Sequence, residues 1–181
     1  MNSDIHIPTS FGMIRPWRRD DSAALVQYAN NKAIWRMMRD SFPHPFDHAA
    51  AETFLMAVSR QTPDTFFAIA TVEEAIGGIG VTLGSDVHQH SAELAYWLGE
   101  PFWGRGYMTD SIQRFTGYAY IAYDLIRIYA APYATNQGSI RALEKAGYQF
   151  EGRMRYSVMK EGRLLDQLLY AIIRPPAQHG G

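Results

Sequence analysis

The segment Gly99-Glu-Pro-Phe-Trp-Gly-Arg-Gly-Tyr-Met-Thr109 constrains the fold more than any other stretch of the chain. Residues 92–98 before it are apolar on both faces except at Glu93, which suits a central strand covered on both sides. After it, Met108, Ile112, Phe115, Ala119, Ala122 and Leu125 recur at steps of three or four, the pattern of an amphipathic helix. Residues 127–132 read as the next strand, so 92–132 forms a strand-helix-strand unit, expected parallel and right-handed. Gly104 and Gly106 let the turn between strand and helix close tightly and approach a ligand. The helix aims its first unpaired amides, and the positive end of its dipole, back into that turn. Such a turn binds phosphate through backbone groups, with Arg105 adding a charge and Thr109 a hydroxyl. It lacks the Lys-Ser/Thr ending of a nucleoside-triphosphate loop and the Gly-x-Gly-x-x-Gly of a dinucleotide site. A plain strand-to-helix turn is the alternative reading.

The remaining pattern surrounds this unit with more sheet and helix. A short strand is expected at 13–17, then a helix opened by Asp20 and Asp21 with Leu25, Val26 and Ala29 on one face. A second helical piece covers 33–38, and Pro43 and Pro45 make 41–46 a loop. Asp47 caps a third helix carrying Phe54, Leu55 and Val58. Residues 65–72 and 76–83 are strands, 136–146 a helix stopped by Gly147, and 148–158 with 164–173 a closing hairpin around Lys160-Glu161-Gly162-Arg163. The expected class is α/β (α+β): a mixed sheet with helices on its faces, in one domain over 1–174 followed by a flexible Pro/Gly-rich tail at 175–181.

Composition narrows the function by exclusion. A net charge of -1 gives no basic excess for holding nucleic acid by its phosphates. With no cysteine, thiolate nucleophiles, disulfides and cysteine-rich zinc sites are ruled out. His88 and His90 share a face if extended, but no third ligand stands at a partner spacing, so no metal is expected. Neither Gly-x-Ser-x-Gly nor His-Glu-x-x-His occurs. No stretch approaches the ~20 apolar residues of a membrane span, and residues 1–11 carry no secretory pattern. A cytoplasmic protein is the expectation.

The loop resembles the phosphate loop of the GNAT acetyltransferase superfamily, Gln/Arg-x-x-Gly-x-Gly/Ala, with Pro101 in place of the first residue. Ile14-Arg-Pro-Trp-Arg-Arg-Asp-Asp21, Pro43-His-Pro-Phe46, Glu93-Leu-Ala-Tyr-Trp-Leu98, Asn136-Gln-Gly-Ser139 and Glu144-Lys-Ala-Gly-Tyr148 are similar to the RimJ/RimL-like branch, which acetylates ribosomal-protein N-termini. The resemblance spans roughly 13–174. It implies a mostly antiparallel sheet whose fourth and fifth strands splay to admit acetyl-CoA as cosubstrate. It places the pantetheine along Tyr96, Trp97 and Leu98. The phosphates fall on Trp103, Gly104, Arg105, Gly106, Tyr107, Met108 and Thr109, with further contacts from Asn136 and Ser139. It also implies a monomer or homodimer.

Direct acetyl transfer needs a neutral amine, a polarised thioester and a proton for the departing thiolate. Glu93 is the candidate base, beside the cofactor edge, and a salt-bridged strand-end carboxylate is its bland alternative. Asp166, on the last strand, is the candidate for holding the incoming ammonium, against ordinary surface polarity. Many relatives place a tyrosine seven residues after the asparagine as the acid. Here that position is Leu143, so Ser139 becomes the candidate acid, with helix capping as its alternative role. An α-amine has a pKa near ~7.7–8.0 and a lysine near ~10.4, so deprotonating the lysine costs roughly three kcal/mol more. A site with one base therefore tilts toward a protein N-terminal α-amine. Small amines such as amino acids, polyamines or antibiotics are the second reading, and a non-catalytic acyl-CoA sensor the third.

Overall fold

The computed structural model describes residues 5–174, so the tail expected at 175–181 lies outside the described residues. One eight-stranded sheet organises the described residues. Its strands are β1 (Ile7–Pro8), β2 (Met13–Arg15), β3 (Phe66–Ala70), β4 (Ala75–Leu83), β5 (Ser91–Leu98), β6 (Arg127–Ala130), β7 (Gln149–Lys160) and β8 (Arg163–Ile173), in the order β1-β2-β3-β4-β5-β6-β8-β7. Neighbours run antiparallel except β5 and β6, which are parallel. The helices are α1 (Ser22–Ala29), α2 (Lys32–Trp35), α3 (His48–Ser59), α4 (Tyr107–Ala122) and α5 (Gln137–Lys145). The parallel pair exists because α4 carries the chain from the end of β5 back to the start of β6.

Local chemistry sets the element ends. The Asp47 carboxylate accepts from the Ala50 amide at 2.9 Å and starts α3. Gly147 takes φ +96° after α5, as a left-handed helix stop requires. Asp21 does not cap α1 with its side chain. It is buried, and its carboxylate instead accepts from both Arg15 guanidinium nitrogens at 2.8 and 2.7 Å, pinning β2 to the start of α1. Ile112, Phe115 and Ala119 are fully buried, so the apolar stripe that predicts α4 is its core face. β1 was not anticipated by the sequence pattern, being only two residues that pair with Ile14 and Met13. Among the described residues no helix is long and apolar enough to cross a membrane.

The feature that positions the site is a splay in the sheet. β5 pairs with β6 at Ser91, Ala92 and Glu93 only. On its other edge β5 stays paired with β4 through to Leu98 opposite Gly77. Residues 94–98 therefore have a ladder on one side and a gap on the other, leaving backbone groups that need a partner. On the paired side, Gly78 makes room for two indole rings: a Cβ there would sit 2.8 Å from Trp97 Nε1 and 3.1 Å from the Trp17 ring.

Candidate active site

The loop past Leu98 has the geometry its glycines predict. Glu100–Phe102 forms one 3-10 turn, and Gly104 and Gly106 follow at φ +75° and +80°. Gly106 is the N-cap of α4, and no side chain caps the helix. A Cβ built on Gly104 or Gly106 meets nothing within 4 Å, so both glycines border open space. The loop is fastened from behind. Trp103 Nε1 donates to the Leu98 carbonyl at 2.7 Å, and the Asp110 carboxylate accepts from the Ser10 amide at 2.6 Å. Tyr107 stacks on Phe11 with ring centres 3.9 Å apart. Arg105 is exposed, its guanidinium 5.8 Å from the Phe102 ring centre. Met108 and Thr109 occupy the first turn of α4, half-buried.

A cavity of about 700 Å³ runs beside the splayed half of β5 and draws its lining from both sheet faces. Successive residues of a strand point to opposite faces, so Glu93, Ala95 and Trp97 share one face and Leu94, Tyr96 and Leu98 the other. On the Tyr96 face, the Tyr96 hydroxyl lies 2.6 Å from Ser139 Oγ. Tyr96 is half-buried overall, but the protein crowds its hydroxyl, and burial pushes its pKa well above the ordinary phenol value, with the Ser139 hydrogen bond acting the other way. The phenol therefore stays protonated. Asn136 caps α5, its side-chain oxygen accepting from the Ser139 amide at 3.1 Å, and both residues line the cavity. Leu143 is fully buried in the core and offers no proton.

On the Glu93 face, Arg39 donates to the Glu93 carboxylate. Arg39 comes from the stretch between α2 and α3 and also lines the cavity. Sequence reading missed it, since nothing in a lone arginine of a loop points to a carboxylate 54 residues away. Glu93 is thus a salt-bridged strand carboxylate and a cavity-lining one at once. The Arg39 stretch is held to the β7–β8 hairpin by Lys160, which is buried, donates to Asp40 at 2.6 Å and sits 3.9 Å from the Trp35 ring centre.

The structure does not bring Asp166 to this cavity, which its neighbour Gln167 lines instead. Its carboxylate accepts from the Tyr156 amide at 2.8 Å and from Arg153 Nε at 2.6 Å. Those two bonds, the backbone one first, lower its pKa and commit it to the hairpin. A bulge in β7 between Met154 and Val158, with Tyr156 at φ +50°, turns that amide onto Asp166. Leu98 borders the gap but does not line the cavity, and neither do residues 103–109. Among the described residues no cluster of His, Asp or Glu gathers to hold a metal, and His90 Nδ1 lies 2.8 Å from the Asp124 carbonyl oxygen.

Comparison with known proteins agrees with this geometry. Residues 13–149 match the acetyltransferase (GNAT) domain model. An N-acetyltransferase of Bacillus licheniformis named p20 is 25% identical over 167 residues, covering 89% of this chain and 92% of that protein. YoaA, an N-acetyltransferase of Bacillus subtilis, is 32% identical over 103 residues, 57% of this chain and 58% of its own length. Among solved structures, RimL, a ribosomal L7/L12 alpha-N-protein acetyltransferase in complex with coenzyme A, superposes with a TM-score of 0.82 at 21% identity, covering 93% of this chain and 98% of its own. RimJ of Mycobacterium smegmatis, also solved with a coenzyme A species, gives 0.80 at 20% identity over 93% of this chain and 86% of its own. An open mixed sheet splayed after Glu93, a glycine loop feeding α4 and a matched domain over most of the chain lead to one conclusion: this protein belongs to the GNAT acetyltransferase family.

Proposed function

We propose that this N-acetyltransferase moves the acetyl group of acetyl-CoA directly onto a primary α-amine, the N-terminus of a protein or peptide. The observation that carries the reading is the cavity at the splay, which has a carboxylate on one sheet face and a hydroxyl pair on the other. The residues present fit the cosubstrate. Uncapped amides at the start of α4 and open space at Gly104 and Gly106 suit the pyrophosphate, and the unpaired edge of residues 94–98 suits the pantetheine. Acetyl-CoA supplies the thioester: the amine nitrogen bonds to the acetyl carbon, and the carbon–sulfur bond breaks.

The protein's part is to move two protons. Glu93, on the Trp97 face, takes the proton from the amine, directly or through one water. Arg39 shares that carboxylate and competes with the incoming ammonium for it. Ser139, on the opposite face, gives a proton to the departing thiolate. The Tyr96 and Ser139 hydroxyls share a hydrogen bond that either can donate; with Tyr96 as the donor, the serine hydrogen is free for the sulfur, and the proton the serine gives up is replaced from solvent. RimL, an alpha-N-protein acetyltransferase, supports the N-terminal acceptor as a structural neighbour. The test is thiol release with two peptides of one sequence, one with a free α-amine, the other with a blocked N-terminus and an internal lysine. The free α-amine reacts faster near neutral pH, and the gap narrows as pH rises toward the lysine pKa of about 10.4. A faster lysine peptide at neutral pH overturns the N-terminal reading. Reaction of a small amine alone would make the enzyme a small-molecule acetyltransferase.

A further inference from the structure

The cavity wall facing Glu93 differs in chemistry from the rest of the site. Five rings, Phe42, Phe46, Phe54, Phe66 and Trp97, stand around it. Phe42 lies between two of them, 5.2 Å from Phe46 and 6.0 Å from Trp97 between ring centres. The face that α3 turns to the cavity also carries Ala50 and Ala57, whose methyl groups leave the space between the rings open. Ala95, on the same strand face midway between Glu93 and Trp97, does the same. Those two residues are four apart on β5, about 13 Å along the strand.

Charge on this wall is scarce. Glu93 is the one carboxylate among the described residues lining the cavity, and Arg39 already donates to it. An acceptor with several ammonium groups would find one shared carboxylate, and its remaining charges would lie unpaired against aromatic rings. An acceptor with one amine on an apolar body satisfies the site completely: the amine meets Glu93 and the body fills the space among the rings.

We infer that the acceptor carries its reacting amine on a bulky apolar group, such as a peptide beginning with phenylalanine, leucine or methionine, and that polyamines and amino sugars are poor acceptors. The inference rests on the reading that Glu93 faces the acceptor. It goes further in naming what stands next to the amine.

The experiment uses the full chain, saturating acetyl-CoA and peptides that differ only in the first residue, with spermidine and 2-phenylethylamine as non-peptide arms. The phenylalanine peptide should exceed the lysine and aspartate peptides in kcat/KM by about tenfold or more, with spermidine lowest. A lysine peptide or spermidine ranking first overturns the inference while leaving amine acetylation intact. If 2-phenylethylamine reacts and no peptide does, the N-terminal reading fails and the apolar-acceptor inference stands. Ala50→Trp supplies an independent check by filling the space among the rings. It should raise KM for the phenylalanine peptide by about tenfold with acetyl-CoA affinity unchanged by calorimetry. Loss of acetyl-CoA affinity with an unchanged peptide KM would assign the rings to the cofactor and overturn the inference.

Discussion

Between β5 and α4 the groups proposed to hold the cosubstrate belong to the backbone. Across the gap, on the face of β5 that carries Glu93 and Trp97, they belong to side chains gathered from the α2–α3 stretch, α3, β3 and β5. The first region rests on the positive φ angles of Gly104 and Gly106, a conformation that side chains rarely adopt. The second depends on what each side chain is. The comparison teaches that one half of this site is set by conformation and the other by side-chain identity, so substitutions in the two halves should fail differently.

The largest expected effect lies in the side-chain half. Glu93→Gln keeps size and hydrogen bonding but removes the proposed base, and saturated turnover should fall by ~10²–10⁴. The acidic limb of the pH-rate profile should flatten as well. Wild-type turnover in Glu93→Gln would reduce Glu93 to a partner of Arg39 and break the contrast. In the backbone half, Gly106→Val puts a β-branched residue at φ +80° and a side chain into the open space, so acetyl-CoA binding should weaken by at least ~2 kcal/mol in calorimetry. Unchanged affinity in folded Gly106→Val would mean that the loop does not hold the phosphates.

A smaller effect sharpens the role of the hydroxyl pair. Tyr96→Phe should lower saturated turnover by about tenfold, as loss of one hydrogen bond to a reacting group does, with acetyl-CoA affinity retained. In a Ser139→Ala background the same change should have little further effect, because Tyr96 acts through the serine. Additive losses would instead give Tyr96 a role of its own. Because burial raises the Tyr96 pKa, the alkaline limb of the wild-type profile should not change in Tyr96→Phe.

Sequence and structure agree where a single residue type forces a backbone geometry. Gly147, Asp47 and the two loop glycines show this, and so does the stripe of Ile112, Phe115 and Ala119. They part where function is a meeting of distant residues. Arg39 reaches Glu93 across 54 positions, and Tyr96 reaches Ser139 across 43, through a register that no local pattern encodes. Asp166 shows the converse. Its place on the last strand suggested the acceptor side, but a bulge one strand away turned an amide onto it, and bulges leave no periodic trace in sequence.

Asp166 also supplies the smallest expected effect. Asp166→Asn should leave the acceptor KM unchanged and lower thermal stability slightly at neutral pH. The Tyr156 amide and Arg153 depress the carboxyl pKa in the folded state, so its contribution is present above the unfolded value of about 3.9 and is lost as pH falls through the lower folded value. The difference in Tm between wild type and variant should therefore shrink on acidification below about pH 4. An acceptor KM raised in Asp166→Asn would move the ammonium site to the hairpin.

The division between the two halves is tested most directly by measuring acetyl-CoA affinity and saturated turnover on one sample of Glu93→Gln. The account predicts wild-type affinity together with turnover reduced at least a hundredfold, of the order expected for loss of a general base. Affinity and turnover falling together, or turnover unchanged, would contradict it.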